Sequence, residues 1–184
     1  MKGIYIILIA ALLTGCGTTS PFTYHVKPTP LKNSETKYSI GNIDVNLTLG
    51  HGAIAGDKTF ASDSQLKKQF TQYIKKHLQE KGLLAKSKAS ASARIDVVVN
   101  YKRTFNYGGK SLNKPQISHQ IEINRNKEKL ASMYKPVYTT KYGYLKDIAV
   151  NLEISAFSRD AEDEPEDIEL VSKLIADDIA NAGS

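Results

Sequence analysis

The sequence predicts an α+β domain in which an antiparallel sheet of about four to five strands carries two amphipathic helices on one face. Apolar and polar residues alternate at 38–49, 93–105 and 117–123, as in strands with one buried face. Two other segments, 62–82 and 163–179, carry apolar residues at helical spacing. Because strands outnumber helices and two strands are close enough to form a hairpin, we expect the helices to cover one face of the sheet.

The strand predictions depend on which residues share a face. In the first strand the shared face consists of Ile43, Val45, Leu47 and Leu49, and in the second of Ala93, Ile95, Val97, Val99 and Tyr101. Arg125-Asn126-Lys127 is predicted to turn the strand at 117–123 into a partner strand at about 129–134. The segment 145–156 fits both a strand and a helix, and its β-branched residues favour a strand.

Both helices have recognisable starts. Ser62 to Gln65 fit a capping box, and Gly82 ends the helix. The second helix begins in an acidic segment containing Pro165, where carboxylates complement the positive end of the helix. The apolar faces are Leu66, Phe70, Tyr73, Ile74 and Leu78 in the first helix, and Ile168, Val171, Leu174, Ile175 and Ile179 in the second. The acidic run lacks the central glycine and oxygen spacing of a calcium-binding loop, so we predict no metal there.

The N-terminal segment has the pattern of a secretory signal. Met1-Lys2 supplies a positive charge, residues 4–13 are apolar, and Gly15 places a small residue before Cys16. About ten apolar residues are too few to span a bilayer. Cys16 is the only cysteine, so no disulfide can form within the chain.

The tetrapeptide Leu13-Thr14-Gly15-Cys16 resembles the lipobox of bacterial lipoproteins. The resemblance implies that residues 1–15 are a signal peptide and that Cys16 becomes an N-terminus carrying diacylglycerol and an N-acyl chain. No other cofactor is expected. Two or three acyl chains hold a protein stably on a membrane. Gly17 stands where an aspartate commonly retains such proteins at the inner membrane, so the resemblance implies the outer membrane, facing the periplasm, ahead of the inner membrane or the cell surface.

Residues 16–37 are predicted to form the acylated N-terminus and an extended tether. This segment contains Pro21, Pro28 and Pro30 among small and polar residues, a composition typical of linkers. Residues 38–184 are long enough for a single domain with one core, which we place in the periplasm.

The domain also resembles several groups of small periplasmic lipoproteins. The segment that carries the likeness is an amphipathic helix ending in Lys81-Gly82, followed by the strand Ala93–Val99. The groups are YajG-like proteins, activator lipoproteins of penicillin-binding proteins, and accessory lipoproteins of lipid transporters. The resemblance implies a fold, and it does not select one of these groups.

Catalytic motifs are absent from the sequence. Its four histidines are dispersed, with no spacing suited to zinc: His25, His51, His77 and His119. No serine nucleophile motif occurs, and the sole thiol is expected to be acylated. We therefore predict a non-enzymatic protein, in which His119 would be the first residue to examine for catalysis.

The charge balance is basic, with a net charge of +6 and a sequence pI of about 9.2. A secretory address and the lack of any recognition motif exclude a nucleic-acid partner. The basic balance instead fits the anionic cell wall, lipopolysaccharide or an acidic envelope protein.

Tyrosine is the remaining unusual feature, with ten tyrosines and no tryptophan. Tyrosines on strands can either pack against the sheet or form an amphipathic binding surface. The predicted binding residues are Tyr101, Lys102, Arg103, Tyr107, Tyr138, Tyr142 and Tyr144.

These observations together predict a membrane-anchored lipoprotein that acts as a scaffold or accessory subunit of a cell-envelope complex. The alternative is a peptidoglycan- or lipopolysaccharide-binding module without a dedicated protein partner.

Overall fold

The computed structural model describes residues 29–183, so Cys16 and the predicted signal peptide lie outside the described residues. The helices in this range are α1 (Asp63–Glu80), α2 (Tyr144–Ser155) and α3 (Glu164–Ala180). The strands are β1 (Tyr38–Leu49), β2 (Ala93–Arg103), β3 (Phe105–Asn106), β4 (Ser111–Leu112), β5 (Gln116–Arg125) and β6 (Glu128–Thr139). The α+β fold class predicted from the sequence is confirmed.

The main sheet has four strands in the order β1-β2-β5-β6, and β3 and β4 form a separate two-stranded sheet. β2 pairs antiparallel with β5, and β5 with β6. β1 and β2 are parallel, so the sheet is mixed where the sequence predicted an antiparallel one. The connection between β1 and β2 contains α1, and such a helical crossover returns the chain to the same end of the sheet.

The predicted hairpin turn is present. Arg125 pairs with Glu128, and the two residues between them, Asn126 and Lys127, both have positive φ. Two positive-φ residues match the right-handed twist of the paired strands. The second strand of the hairpin continues to Thr139, well beyond the predicted end near residue 134.

The segment predicted as the last strand is α2, and that prediction was wrong. A strand here would need a sheet edge to pair with, whereas a helix satisfies most of its backbone groups internally. Asp147 stabilises the first turn by accepting hydrogen bonds from the Tyr142 N–H at 3.3 Å and Lys114 Nζ at 2.7 Å. Leu145, Ile148 and Leu152 then share one face at helical spacing.

The core lies between one face of the main sheet and the pair α1 and α3, which pack against each other. The capping box at Ser62 is present, with Ser62 Oγ accepting from the Gln65 N–H and Gln65 Oε1 accepting from the Ser62 N–H. Fully buried side chains include Leu66, Phe70, Ile74 and Leu78 from α1, Ile168 and Ile175 from α3, and Ile95, Val99, Ile117 and Ile121 from the sheet. Each such side chain contributes about 1.5–3 kcal/mol through burial.

The two ends of the domain differ. At one end, β1 and β2 begin together at Tyr38 and Ala93, and Ser34 N–H donates to the carbonyl of Ala180 at the end of α3. The described chain enters here through the buried Leu31, so we call this the anchor end. The opposite end, which we call the distal end, is formed by the segments 49–61, 103–115 and 140–163.

Two glycines at the distal end provide a matched pair for a stability test. Gly109 (φ +86°) has no room for a Cβ, which would lie 2.5 Å from the Gly52 carbonyl oxygen, whereas Gly56 (φ +78°) has no atom within 4 Å of that position. Both alanine variants acquire left-handed backbone strain of about 1 kcal/mol. We expect Gly109→Ala to lower the thermal midpoint by at least about 2–4 °C more than Gly56→Ala, since only Gly109 adds a clash. Equal midpoints would contradict the close packing of the backbone at Gly109 against the Gly52 carbonyl.

Candidate functional site

The structure does not gather the seven predicted binding residues into one surface. Tyr101 and Arg103 point into the core side of β2 and are buried, and Lys102 between them is exposed. Tyr138 and Tyr142 are half-buried at different places, and Tyr107 and Tyr144 are exposed. The predicted lipidation site, Cys16, lies outside the described residues.

Arg103 is engaged in a buried ion pair with Glu164, the first residue of α3. Its Nε donates to Glu164 Oε1 at 2.6 Å and its Nη2 to Oε2 at 2.9 Å, which is a bidentate arrangement. Nη2 also donates to the Ala61 carbonyl at 2.8 Å. Burial and the carboxylate of Glu164 raise the pKa of Tyr101 well above its usual value, so its phenol stays neutral. Tyr101 and Arg103 therefore fix α3 to the sheet.

A second buried network surrounds Asp167, one turn further along α3. Its Oδ1 accepts from Thr140 Oγ1 and from the Tyr142 hydroxyl, both at 2.6 Å, and its Oδ2 accepts from Arg159 Nη2 at 2.9 Å. Burial and Asp167 raise the pKa of Tyr142, which keeps the hydroxyl a donor. Arg159 Nε and Nη1 are buried with no partner among the described residues. Asp167 is thus the carboxylate that forms the buried ion pair with Arg159.

His119 lies in a polar chain between β5, β6 and α3. Its Nε2 is 3.2 Å from Asp178 Oδ2, and its Nδ1 is 2.8 Å from the Tyr138 hydroxyl. Because a carboxylate only accepts, Nε2 carries the proton and Nδ1 accepts from the tyrosine. Burial lowers the pKa of His119, against the opposing effect of Asp178, and Lys135 lowers it further. Burial also raises the pKa of Tyr138, so both side chains are uncharged at neutral pH.

The distal end carries an exposed group of large apolar side chains, which we call the distal apolar surface. Tyr144, Leu145 and Leu152 on α2 are 82%, 78% and 64% exposed. Tyr107 stacks on Phe157 with ring centroids 5.4 Å apart, and both rings also face water. The full set is Leu49, Ile54, Tyr107, Tyr144, Leu145, Ile148, Leu152 and Phe157. The other large exposed apolar residues of the described chain, Val98, Tyr134 and Val137, lie on the main sheet.

The sequence predicts two members of this surface, Tyr107 and Tyr144, because tyrosine is a residue type common in binding surfaces. The prediction missed the aliphatic residues of α2, because the segment was interpreted as a strand. The signal was present, since Leu145, Ile148 and Leu152 fit a helical spacing. Only Val150 is fully buried in α2, and no sequence pattern distinguishes a half-covered helix from one whose apolar face is exposed.

Within residues 29–183, no group of three or more His, Asp or Glu side chains is arranged to hold a metal ion. No helix in that same range is both long and apolar enough to cross a membrane. The distal end presents exposed aromatic and aliphatic side chains for contact with another molecule.

Comparisons with known proteins give little guidance. No protein family and no curated protein matches the chain. A crystal structure of an uncharacterized protein is 15% identical, covers 79% of this chain and 99% of its own, and has a TM-score of 0.30. A crystal structure described as that of a neuraminyllactose-binding hemagglutinin homolog from Helicobacter pylori is 9% identical, covers 86% of this chain and 96% of its own, and has a TM-score of 0.31. Likenesses this weak carry no argument about function.

The network at Asp167 predicts a large loss of stability when its charge is removed. Asp167→Asn leaves Arg159 buried without a counter-ion, which costs about 3–5 kcal/mol in the free energy of unfolding. The matched control is Glu169→Gln on the same helix, because its partner Lys76 is half-exposed and such pairs are worth about 1 kcal/mol or less. Chemical denaturation of both variants measures the difference. A loss at Asp167 no larger than that at Glu169 would contradict the assignment.

The His119 chain predicts an acid-sensitive component of stability. The pKa of His119 is lowered in the folded protein, so the unfolded chain binds the proton more readily. The contribution is fully present above about pH 6.5 and is lost as the pH falls from there toward the folded pKa. We expect His119→Gln to be less stable at pH 7.5 and to lose less stability than the parent between pH 7 and pH 5. Parallel stability curves for the two proteins would refute this.

Proposed function

We propose that this chain is a non-enzymatic lipoprotein of the outer membrane, anchored through acylated Cys16 and facing the periplasm. It acts as a scaffold or accessory subunit of a cell-envelope complex. Its protein partner binds the distal apolar surface. The observation that carries the proposal is the position of that surface, at the end of the domain opposite the entry of the tether.

The size of the distal apolar surface supports a protein interface. Tyr107, Tyr144 and Phe157 are 67%, 82% and 51% exposed. At about 150–250 Å² per aromatic side chain, these three rings alone expose roughly 300–500 Å². The aliphatic residues of α2 add to the area of these three rings. For comparison, the largest apolar patch on a typical monomer is about 300–600 Å² in total. A standard interface buries about 800 Å² on each partner, so the surface is of the right order.

The charges of α2 favour a protein over a lipid bilayer as the occupant. A helix that lies on a membrane is rich in lysine and arginine on its polar face. α2 has one lysine, Lys146, and two carboxylates, Asp147 and Glu153. Lys146 is also bound to Glu166 of α3 at 3.1 Å. An apolar centre with a rim of mixed charge is the usual anatomy of a protein interface.

The position of the anchor supports the same conclusion. α3 runs from the distal end at Glu164 to the anchor end at Ala180, and its 17 residues span about 25 Å at 1.5 Å per residue. The covalent reach of residues 16–29 is at most about 50 Å. The predicted anchor therefore joins the domain at its anchor end and leaves the distal end free to contact molecules in the periplasm.

Site-directed photo-crosslinking in intact cells tests the proposal. A photoreactive amino acid replaces Leu145 or Leu152 in the natively acylated chain, and adducts are extracted in detergent and identified by mass spectrometry. The matched control positions are Lys86 and Lys127, which are exposed away from the distal end. We expect one dominant envelope protein from the distal positions only, lost in a Cys16→Ala background.

Leu145→Ser and Leu152→Ser should weaken recovery of that adduct when the photoreactive residue is placed at Phe157. Because both leucines are mostly exposed, each substitution should change the free energy of unfolding by about 0.5 kcal/mol or less. Recovery of lipid adducts alone would mean that the distal apolar surface contacts the membrane, and it would contradict the proposal. Equal protein adducts from control and distal positions would also contradict the proposal.

A further inference from the structure

A second surface feature, separate from the distal apolar surface, is a groove between the end of β6 and one face of α3. Its volume is about 400 Å³, within the range of small-molecule sites. Its apolar wall is made by Leu170, Val171 and Leu174 of α3 together with the ring of Tyr138. Leu170 and Leu174 are one helical turn apart and only half-buried, so the groove exposes a continuous apolar strip.

The groove also contains cations without counter-ions. Lys141 from the segment after β6 and Lys173 from α3 line it and are exposed. Neither has a hydrogen-bond or ion-pair partner among the described residues. A third cation, Lys135, lies 3.4 Å from Asp178 and 5.9 Å from the centre of the Tyr138 ring.

The acidic residues of α3 do not neutralise these lysines. Asp177 is the carboxylate that lines the groove, and it is bound at 2.5 Å by Lys81, which directly follows α1. Every other carboxylate of α3 is bound to a basic side chain as well: Glu164 to Arg103, Glu166 to Lys146, Asp167 to Arg159, Glu169 to Lys76 and Asp178 to His119 and Lys135. Lys173 is the only basic residue of this helix, and it remains unpaired in the groove.

We infer that the groove is a binding site for an anionic amphiphile: a single acyl chain ending in a carboxylate or phosphate. The acyl chain lies along Leu170 and Leu174, and the anionic head binds Lys141 and Lys173. Charge complementarity is what selects this class, since an uncharged apolar ligand leaves both lysines unpaired and a small inorganic anion leaves the apolar strip in water. The inference does not depend on the proposed protein partner, because the two surfaces share no residue.

Photolabelling of the natively acylated full chain tests the site. The protein is placed in nanodiscs of neutral phosphatidylcholine and exposed to a photoreactive palmitate analogue. A parallel sample receives the corresponding photoreactive fatty alcohol, which has the same chain without the charge. A third receives a photoreactive lysophosphatidic acid, which separates a carboxylate head from a phosphate head. Labelled residues are mapped by mass spectrometry.

We expect one or both anionic probes to label Tyr138 or the stretch 170–174, and the alcohol to label these residues much less. Lys141→Gln combined with Lys173→Gln should reduce this labelling about fivefold or more. Lys75→Gln combined with Lys86→Gln is the matched control, because both lysines are exposed and neither lines the groove. It removes the same charge and should leave labelling unchanged. Circular dichroism checks that both double variants remain folded.

Equal labelling by the alcohol, labelling elsewhere only, or labelling that the groove variant does not reduce would overturn the inference. The distal variants Leu145→Ser and Leu152→Ser should label like the parent protein. The labelling experiment can therefore contradict the groove as a binding site without bearing on the proposed protein interface, and the crosslinking experiment can do the reverse.

Discussion

The structure depends on two buried ion pairs at the start of α3. Arg103 reaches Glu164 from β2, and Arg159 reaches Asp167 from the segment before the helix. All four side chains are almost completely buried. Leaving one of these charges buried without its partner costs several kcal/mol of stability. The two pairs therefore favour a single position of α3 against the sheet, in which both pairs form. An all-apolar contact would tolerate a shift of the helix along the sheet far better.

The position of α3 determines the arrangement of the distal end. Thr140 and Tyr142 both donate to Asp167, which fixes the chain between β6 and α2. Lys114 then holds the first turn of α2 through Asp147. α2 is thereby positioned by polar contacts at its N-terminal end, while most of its apolar side chains remain in water. A helix attached in this way keeps its apolar face available for another molecule.

The sequence predicts local features well and long-range pairing poorly. The capping box at Ser62 and the turn at Asn126 and Lys127 depend on neighbouring residues, and both are present. The sequence predicts Arg103 as a binding residue, because alternation alone does not reveal a partner 61 positions away. The sequence explains the acidic run before α3 by the positive charge of the helix terminus. Glu164 and Asp167 instead serve the buried pairs, which only the folded arrangement identifies.

α3 contacts each of the three regions to which the proposals assign a role. Its C-terminal end contacts the segment that leads to the tether, its N-terminal end fixes the distal surface, and its outer face forms one wall of the β6 groove. Because six of its carboxylates are bound to bases from other elements, the helix is held at both ends and along its length. A ligand in the groove would contact Lys173 on a helix that already has one fixed position. Ligand binding in the proposed groove is therefore expected to leave the distal apolar surface in place, so that the two proposed sites bind independently.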